Sequence, residues 1–348
     1  ALLEILDNRF RVKYNSSDIN SITKTIAEIP ITPQEAILRT RGNMLAVTQL
    51  NERVTQLDNN PSEYDDVYVG DLAMDKSGEI KFIPTSEVPI RMFPLKDNKA
   101  KGAIEIFKMP ERDRDGKVYA NRYILGHDPV DDDTANTMSL TSTFVLDLWT
   151  DKIVAEWTGR LDFADDNFER VRLMCLFYNG RCLYEQNKKG IFAYFSRMNC
   201  LYLLADTPEY LRDKDIVKGQ MIGNKAKGVN ATTPVNNYAN NLIKSWLINP
   251  VPTIIKNDVG EDIESSVSNL YFIRNKALLQ ELILFNPDIN VDRVRALGMV
   301  MLYREEKVIM YQGNMGKERE DKAYKNYLGK DDFFFFFYDA KLMRKSKF

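Results

Sequence analysis

The chain has 348 residues, 44% of them hydrophobic and 28% charged, with a formal net charge of -2. This length and apolar content provide for one large or two modest domains, and the balanced charge argues against a uniformly basic nucleic-acid-binding protein. The three cysteines (Cys175, Cys182 and Cys200) lack CxxC spacing, so we expect buried thiols in a reducing compartment and no zinc ribbon or disulfide scaffold. No apolar run reaches the roughly 18 residues of a membrane span, so no membrane segment is expected.

Residues 1–118 are predicted to form an α+β accessory or linker region. A hairpin is indicated by apolar segments on both sides of the turn Lys-Ser-Gly at 76–78. The polar run at the end of the region is the expected hinge into the next domain. The predicted elements are, in chain order, a helix over residues 34–57, strands over 66–72, 79–83 and 103–107, and the hinge over 111–117.

Residues 119–312 carry a pattern that predicts an α/β fold, with a mixed β-sheet flanked by helices. Three strands come first, the last two joined by a tight turn at Asp151, and helices and strands then alternate. The predicted strands cover residues 123–128, 142–150, 152–160, 181–184 and 201–205. Two helices are predicted to begin after Asp165 and after Thr233. Three more are predicted over residues 191–198, 275–285 and 290–306.

Three acidic residues stand where this pattern would bring their side chains together. Asp128 and Glu185 each close an apolar strand, and Asp292 lies in the first turn of the last helix. Ribonuclease-H-like nucleases gather carboxylates in this order around divalent metal ions, which prefer oxygen ligands. The three acids therefore predict a ribonuclease-H-like sheet and the metal-dependent hydrolysis of phosphodiester bonds.

Each acid also has a plainer explanation. Asp128 and Glu185 are compatible with solvent-exposed strand ends, and an acid such as Asp292 is favoured in any first helical turn. His127 is the one histidine of the chain and alternates with Asp128 along the strand, so we expect a packing residue on the opposite face. A single histidine also excludes a histidine-rich metal site.

Two further segments have open interpretations. Lys218, Lys225 and Lys227 lie in a glycine-rich stretch that is either a loop gripping the DNA phosphate backbone or a solvated surface loop. Residues 223–229 have the glycine spacing of a phosphate loop but valine in place of its lysine, so ATP binding is not predicted. Residues 313–348 form a predicted C-terminal tail, and its five phenylalanines at 333–337 are either a buried element or a partner-binding segment.

Longer motifs surround the three acids: Tyr-Ile-Leu-Gly-His-Asp-Pro-Val at 123–130, Cys-Leu-Tyr-Glu-Gln-Asn-Lys-Lys-Gly at 182–190 and Val-Asp-Arg-Val-Arg-Ala-Leu-Gly-Met at 291–299. Through these motifs, residues 119–305 resemble the C-terminal nuclease domain of the large terminase subunit of tailed phages, which is a DNA-packaging motor. The chain departs from the family at Val291 and Arg295, where the family often has aspartate, and either change could alter the second metal site.

The resemblance implies an endodeoxyribonuclease that cuts concatemeric double-stranded phage DNA at the start and end of head filling. It implies two Mg2+ or Mn2+ ions, held by the catalytic residues Asp128, Glu185 and Asp292, with Asp132 or Asp133 as additional ligands. The implied partners are double-stranded DNA, the portal protein, the small terminase subunit and an ATPase domain of the same polypeptide outside this chain. The implied location is the host cell cytoplasm, transiently at the procapsid portal.

Two other functions stay open at the level of the sequence. One is another ribonuclease-H-like nuclease, such as a junction resolvase or a transposase, although the N-terminal region does not resemble their dimerisation or DNA-targeting modules. The other is a catalytically silent docking module that binds a portal or small subunit through its phenylalanine-rich and basic C-terminus. The retained acids argue for the nuclease.

Overall fold

The computed structural model describes residues 2–15, 25–26, 29, 31, 44–93, 100–130, 139–213, 226–256, 262–285 and 291–320. The helices are α1 (Leu2–Asn15), α2 (Val47–Asn59), α3 (Ala164–Phe177), α4 (Gly190–Arg197), α5 (Thr233–Leu247), α6 (Lys276–Leu284) and α7 (Asp292–Glu320). The strands are β1 (Tyr68–Met74), β2 (Ile80–Pro84), β3 (Ile104–Ile106), β4 (Tyr123–Asp128), β5 (Thr141–Asp147), β6 (Lys152–Gly159), β7 (Arg181–Tyr184), β8 (Pro250–Lys256) and β9 (Asp262–Ser268). Short helical turns lie at Pro61–Tyr64, Leu201–Leu203, Tyr210–Asp213 and Asn269–Phe272.

Seven strands form one mixed sheet in the order β2-β1-β3-β6-β5-β4-β7. The strands β4, β5 and β6 pair antiparallel, as consecutive hairpin strands do, and β7 then runs parallel to β4. Leu204 continues the sheet with an isolated parallel bridge to Cys182, where the sequence predicts a longer strand over 201–205. This sheet and its flanking helices confirm the predicted α/β fold of the ribonuclease-H-like class.

The strands of the N-terminal region extend this same sheet. The strands β1 and β2 form the predicted hairpin, and β1 also pairs with β3. The strand β3 then joins the hairpin to the later strands by pairing with β6, where Glu105 lies opposite Glu156. Residues 1–118 therefore contribute strands to the sheet of the following region, and the boundary at residue 118 stays a prediction.

Alternation along β4 separates two apolar layers. Ile124 packs with residues of α5, α6 and α7 on one face, and Leu125 packs with residues of α3 and α4 on the other. Gly126 lies on the first face, where an added Cβ would be 2.3 Å from Val300 N and 2.7 Å from Ala296 O. The absence of a side chain at Gly126 therefore lets α7 pack directly against the strand.

The helices differ from their predicted bounds mainly at their ends. The helix predicted over 34–57 is observed as α2 from Val47, whereas residues 34–43 lie outside the described ranges. The last helix, α7, runs past its predicted end at 306 to Glu320, because no proline interrupts the sequence there. Of the described helices, none has both the length and the apolarity needed to cross a bilayer. The phenylalanines at 333–337 lie outside the described residues.

A separate two-stranded antiparallel sheet, formed by β8 and β9, was not predicted from the sequence. Pro250 and Pro252 argue against a strand, because proline has no N–H to donate to a ladder. Each strand of a two-stranded sheet has an unpaired edge, and prolines are tolerated where the N–H would point outward. The two prolines are therefore the reason that the sequence pattern did not predict β8.

The buried Arg122 guanidinium ties the start of β4 to its neighbours. It forms a bidentate ion pair with Asp147 of β5, with Nε–Oδ1 and Nη2–Oδ2 distances of 3.0 and 2.8 Å, and it stacks over the Trp149 ring at 4.2 Å. The side chains of Arg122 and Asp147 are 2% and 0% exposed. Arg122 also pairs with Glu111, the first residue of the run 111–117 that is predicted to be a hinge.

Candidate active site

Asp128 is the last residue of β4, and its carboxylate is buried against a lysine ammonium. The strand is buried along its whole length, and Asp128 pairs across the ladder with Ser142 of β5. Only 4% of Asp128 is exposed, and Lys188 Nζ donates to its Oδ1 at 3.1 Å. A carboxylate removed from water needs a cationic or hydrogen-bonding partner, which Lys188 supplies. Asp128 is therefore not a solvent-exposed strand end.

Glu185 follows β7 and lies at the same edge of the sheet as Asp128. Because β7 is parallel to β4, the C-terminal ends of the two strands point the same way. Glu185 N–H donates to His127 O at 3.3 Å, and Asn187 Nδ2 donates to Glu185 Oε1 at 3.2 Å. The backbone register thus places the two strand-end acids on adjacent strands.

Asp292 is the first residue of α7 and binds the segment that leads into β5. Its Oδ2 accepts the N–H of Leu140 at 2.9 Å, across 152 residues of sequence. Leu140 stands two residues before Ser142, which is the ladder partner of Asp128. An acid that only interacted favourably with the helix dipole would not need this long-range contact. The contact holds Asp292 near the end of β4, where Asp128 lies.

The charges of these side chains influence one another. Burial raises the pKa of the Asp128 carboxyl well above its usual value, and the charges of Glu185 and Asp292 add to this rise while Lys188 opposes it. Burial by itself lowers the pKa of Lys188, but the three acids beside it give a net rise. The ammonium therefore stays charged, and the three acids around it favour a further cation.

His127 is a packing residue on the opposite face of β4, as the alternation predicts. It is fully buried, and its Nδ1 lies 2.8 Å from Thr143 Oγ1 and 3.1 Å from Ser142 O. Burial lowers the pKa of His127 to about 3, and the nearby Lys188 charge acts in the same direction. The imidazole is therefore neutral at physiological pH.

The donor atoms of the three acids suit a divalent cation. Carboxylate oxygens are the ligands that hard cations such as Mg2+ prefer, and Asp128 already binds one cation, the Lys188 ammonium. Within the described ranges, no three acid, histidine or cysteine side chains lie close enough together to enclose an ion. The chemistry of these donor atoms therefore suits a divalent metal ion. Asp132 and Asp133 lie outside the described residues.

Comparison with known proteins finds similarity in structure only, because no family model and no curated protein matches the chain. The large terminase nuclease from thermophilic phage G20c with bound magnesium matches 63% of this chain and 98% of that chain, at 10% identity and a TM-score of 0.31. Its cobalt-bound form matches the same shares at 9% identity and a TM-score of 0.31. A third structure of that nuclease matches 56% of this chain and 94% of that chain, at 9% identity and a TM-score of 0.22. The chain is similar to large terminase nucleases.

These structures belong to the same class of nuclease that the motifs around the three acids resemble. The roles of the site residues rest on the sequence motifs alone. The structure brings Asp128, Glu185 and Asp292 to one edge of the sheet. Their roles as metal ligands stay a prediction.

The lysines predicted to contact DNA fall only partly within the described residues. Lys227 Nζ donates to Leu204 O at 2.9 Å and lies 2.9 Å from Asp206 Oδ1. Its ammonium is therefore engaged by the edge of the protein's own sheet. Lys218 and Lys225 lie outside the described ranges, and their contact with phosphate stays a prediction.

Two residues at or next to this site were not predicted from the sequence. Lys188 stands three residues after Glu185. A lysine so close to a strand-end acid could have been predicted to lie at the site. Arg293 is adjacent to Asp292 and pairs with Glu156 and Glu281. Those partners come from β6 and α6, so no local pattern indicates them.

Proposed function

We propose that this chain is a divalent-metal-dependent endonuclease for double-stranded DNA, and that its substrate is concatemeric phage DNA during genome packaging. The observation that carries the proposal is the meeting of Asp128, Glu185 and Asp292 at one edge of the sheet around the Lys188 ammonium. A buried carboxylate such as that of Asp128 is costly unless a cation neutralises it, and metal-dependent nucleases use a group of carboxylates to bind their ions.

The proposed ligands of two Mg2+ or Mn2+ ions are Asp128, Glu185 and Asp292, with Asp132 or Asp133 in addition. When bound, the ions would activate a water molecule and stabilise the leaving oxygen of the phosphodiester. The protein's own contribution is orientation, since the Leu140 N–H holds the Asp292 carboxylate and the ladder to β5 holds Asp128. Lys188 neutralises Asp128 without metal and would give up that contact when an ion binds.

The direct test is an assay with supercoiled plasmid DNA and the purified protein. We expect conversion to nicked and then linear forms in the presence of Mn2+ or Mg2+. Electrophoresis of the products in the presence of an intercalator separates nicked circles from closed circles that a contaminating topoisomerase has relaxed. No cleavage at any protein concentration with either ion would contradict the proposed activity.

We expect cleavage to stop in excess chelator, to return with Mg2+ or Mn2+, and not to return with Ca2+. Mg2+ demands near-octahedral coordination at about 2.0–2.1 Å, whereas Ca2+ takes six to eight ligands at about 2.3–2.6 Å and does not organise the carboxylates in the same way. The measurement is the initial nicking rate for each ion. Calorimetric titration with Ca2+ is the control that this ion still binds. Full cleavage in excess chelator would show that the activity does not depend on a metal ion.

We also propose that Lys218 and Lys225 contact the DNA phosphate backbone. Replacing both with alanine should weaken binding to DNA of any sequence and reduce the slope of log K against log salt by about 1.8, because each duplex phosphate contact contributes about 0.9. Fluorescence anisotropy at several salt concentrations measures this slope, in an Asp128→Asn background that prevents cleavage.

Lys227→Ala is the matched control for that experiment. The Lys227 ammonium is already paired with Asp206, so its loss should leave the salt slope unchanged. An unchanged slope in the Lys218→Ala, Lys225→Ala variant would identify this stretch as ordinary solvated surface. A reduced slope in Lys227→Ala would show that this pairing opens when DNA binds.

The proposed partners beyond DNA follow from the packaging role. They are the portal protein, the small terminase subunit and an ATPase domain of the same polypeptide, in the host cell cytoplasm and transiently at the procapsid portal. Pull-down with purified portal and small subunit proteins tests this part independently of cleavage.

A further inference from the structure

Arg293, the second residue of α7, is buried with its whole guanidinium bound. Only 1% of the residue is exposed. Its Nε lies 2.9 Å from Glu156 Oε1 of β6, its Nη1 lies 2.9 Å from Glu281 Oε1 of α6, and its Nη2 donates to Ile90 O at 2.6 Å. One side chain thus connects the start of α7 to a strand, a helix and a loop.

Glu281 also caps the first turn of α7 from the neighbouring helix. Its Oε2 accepts the backbone N–H groups of Arg293 at 2.9 Å and of Val294 at 3.3 Å. The first N–H groups of a helix have no partner within the helix, and they are often satisfied by a side chain at or near its own start. Here a buried carboxylate of α6 takes that role, while the Asp292 carboxylate binds Leu140 N–H.

The same group of side chains reaches the ladder partner of Asp128. Glu156 Oε1 accepts from Thr158 Oγ1 at 2.7 Å, and Thr158 Oγ1 lies 2.9 Å from Ser142 Oγ. Ser142 is the residue opposite Asp128 on β5. A continuous chain of hydrogen bonds and ion pairs therefore leads from the strand that faces Asp128 to the helix that carries Asp292.

We propose that Glu281, Arg293 and Glu156 form a buried brace that positions Asp292 toward the strand-end acids. The brace holds the first turn of α7 at a fixed place relative to β5 and β6, and this fixes where the Asp292 carboxylate points. These are positioning residues, because they act through Asp292. The inference deepens the proposed function and rests on it where metal binding is concerned.

The rival explanation is that the brace only stabilises the fold, as any buried ion pair could. A matched control lies on the same helix: Arg304 pairs with Asp151 in the turn between β5 and β6, with an Nη2–Oδ2 distance of 2.7 Å. Arg304 stands eleven residues after Arg293, roughly 16 Å along the helix, so its pair lies far from Asp292. Variants of the two pairs should cost stability alike but differ at the site.

The first test needs no metal and reads the Leu140 amide, whose N–H is held by Asp292. We expect Glu281→Gln to speed hydrogen exchange at the Leu140 amide. Exchange at the Leu148 amide, whose N–H donates to Arg122 O at 2.9 Å, should stay unchanged. Asp151→Asn should leave Leu140 unchanged. Glu156→Gln keeps the side-chain shape and replaces Glu281→Gln if that variant does not fold. Unchanged Leu140 exchange in a folded brace variant overturns the proposal.

The second test is Mn2+ affinity without DNA, measured by electron paramagnetic resonance titration. We expect Glu281→Gln to bind Mn2+ about 10- to 100-fold more weakly, as for other residues that orient metal ligands, and Asp151→Asn to bind as the unaltered protein does. Equal losses in both variants would mean general destabilisation and overturn the positioning role. An unaltered protein that binds no Mn2+ contradicts the proposed function, and the Leu140 exchange then decides the brace alone.

Discussion

Replacing Asp128 or Asp292 with asparagine is expected to reduce plasmid nicking by at least about 10³-fold, because bound metal ions supply several kcal/mol of transition-state stabilisation. Asparagine keeps the shape of the side chain but removes the charge that holds a cation. Glu185→Gln should act in the same direction. The measurement is the initial rate of nicking in Mn2+ by protein purified in parallel.

The fold should survive these substitutions. Asp128 is buried beside two other acids, so removing its charge also removes a repulsion, and a circular dichroism melt should show a midpoint close to that of the unaltered protein. Asp165→Asn is a suitable control. Asp165 is an exposed acid on α3, and it forms an ion pair with Arg197 of α4. Undiminished nicking by both Asp128→Asn and Asp292→Asn would exclude these acids from the chemistry.

Arg122→Met is expected to lower the free energy of unfolding by about 3–5 kcal/mol, because it leaves the buried Asp147 charge without its partner. The methionine replaces part of the apolar volume of the arginine but neither of its ion pairs nor its contact with Trp149. Urea unfolding followed by tryptophan fluorescence and circular dichroism measures the change.

Two variants separate the lost ion pair from lost packing. Adding Asp147→Asn to Arg122→Met removes the unpaired charge, so the double variant should be more stable than Arg122→Met. Arg197→Met, in an ion pair whose side chains are 59% and 58% exposed, should cost no more than about 1 kcal/mol. A loss below that value for Arg122→Met would mean that the start of β4 does not depend on this pair.

The strand-end acids were predictable because their signals are local. An apolar segment that ends in a carboxylate can be recognised within a few residues, as at Asp128 and Glu185. The tight turn at Asp151 predicted the pairing of β5 with β6, since short connections join adjacent antiparallel strands. These local patterns, in their order along the chain, also predicted that the acids at 128 and 185 would come together, and the parallel pairing of β7 with β4 places them on adjacent strands.

The errors also have local causes. The hairpin of β8 and β9 was missed because Pro250 and Pro252 are poor strand formers, and only the exposed edges of a two-stranded sheet tolerate them. The run 111–117 is predicted to be a hinge because it is polar, and the structure joins its first residue to the sheet through the ion pair of Glu111 with Arg122. Polarity predicts exposure to solvent, and it does not predict freedom to move.

The sequence by itself predicted the class of fold, the pairing of β5 with β6 and the position of the three acids at the ends of two strands and the start of a helix, since each follows from residues close together in the chain. Only the tertiary structure decided their surroundings. Lys188 reaches Asp128 across 60 residues, and Arg293 reaches Ile90 across 203. Such pairs depend on which surfaces pack together once the sheet and α7 are in place. The number of distant partners open to a lysine or an arginine is too large for a local pattern to select one.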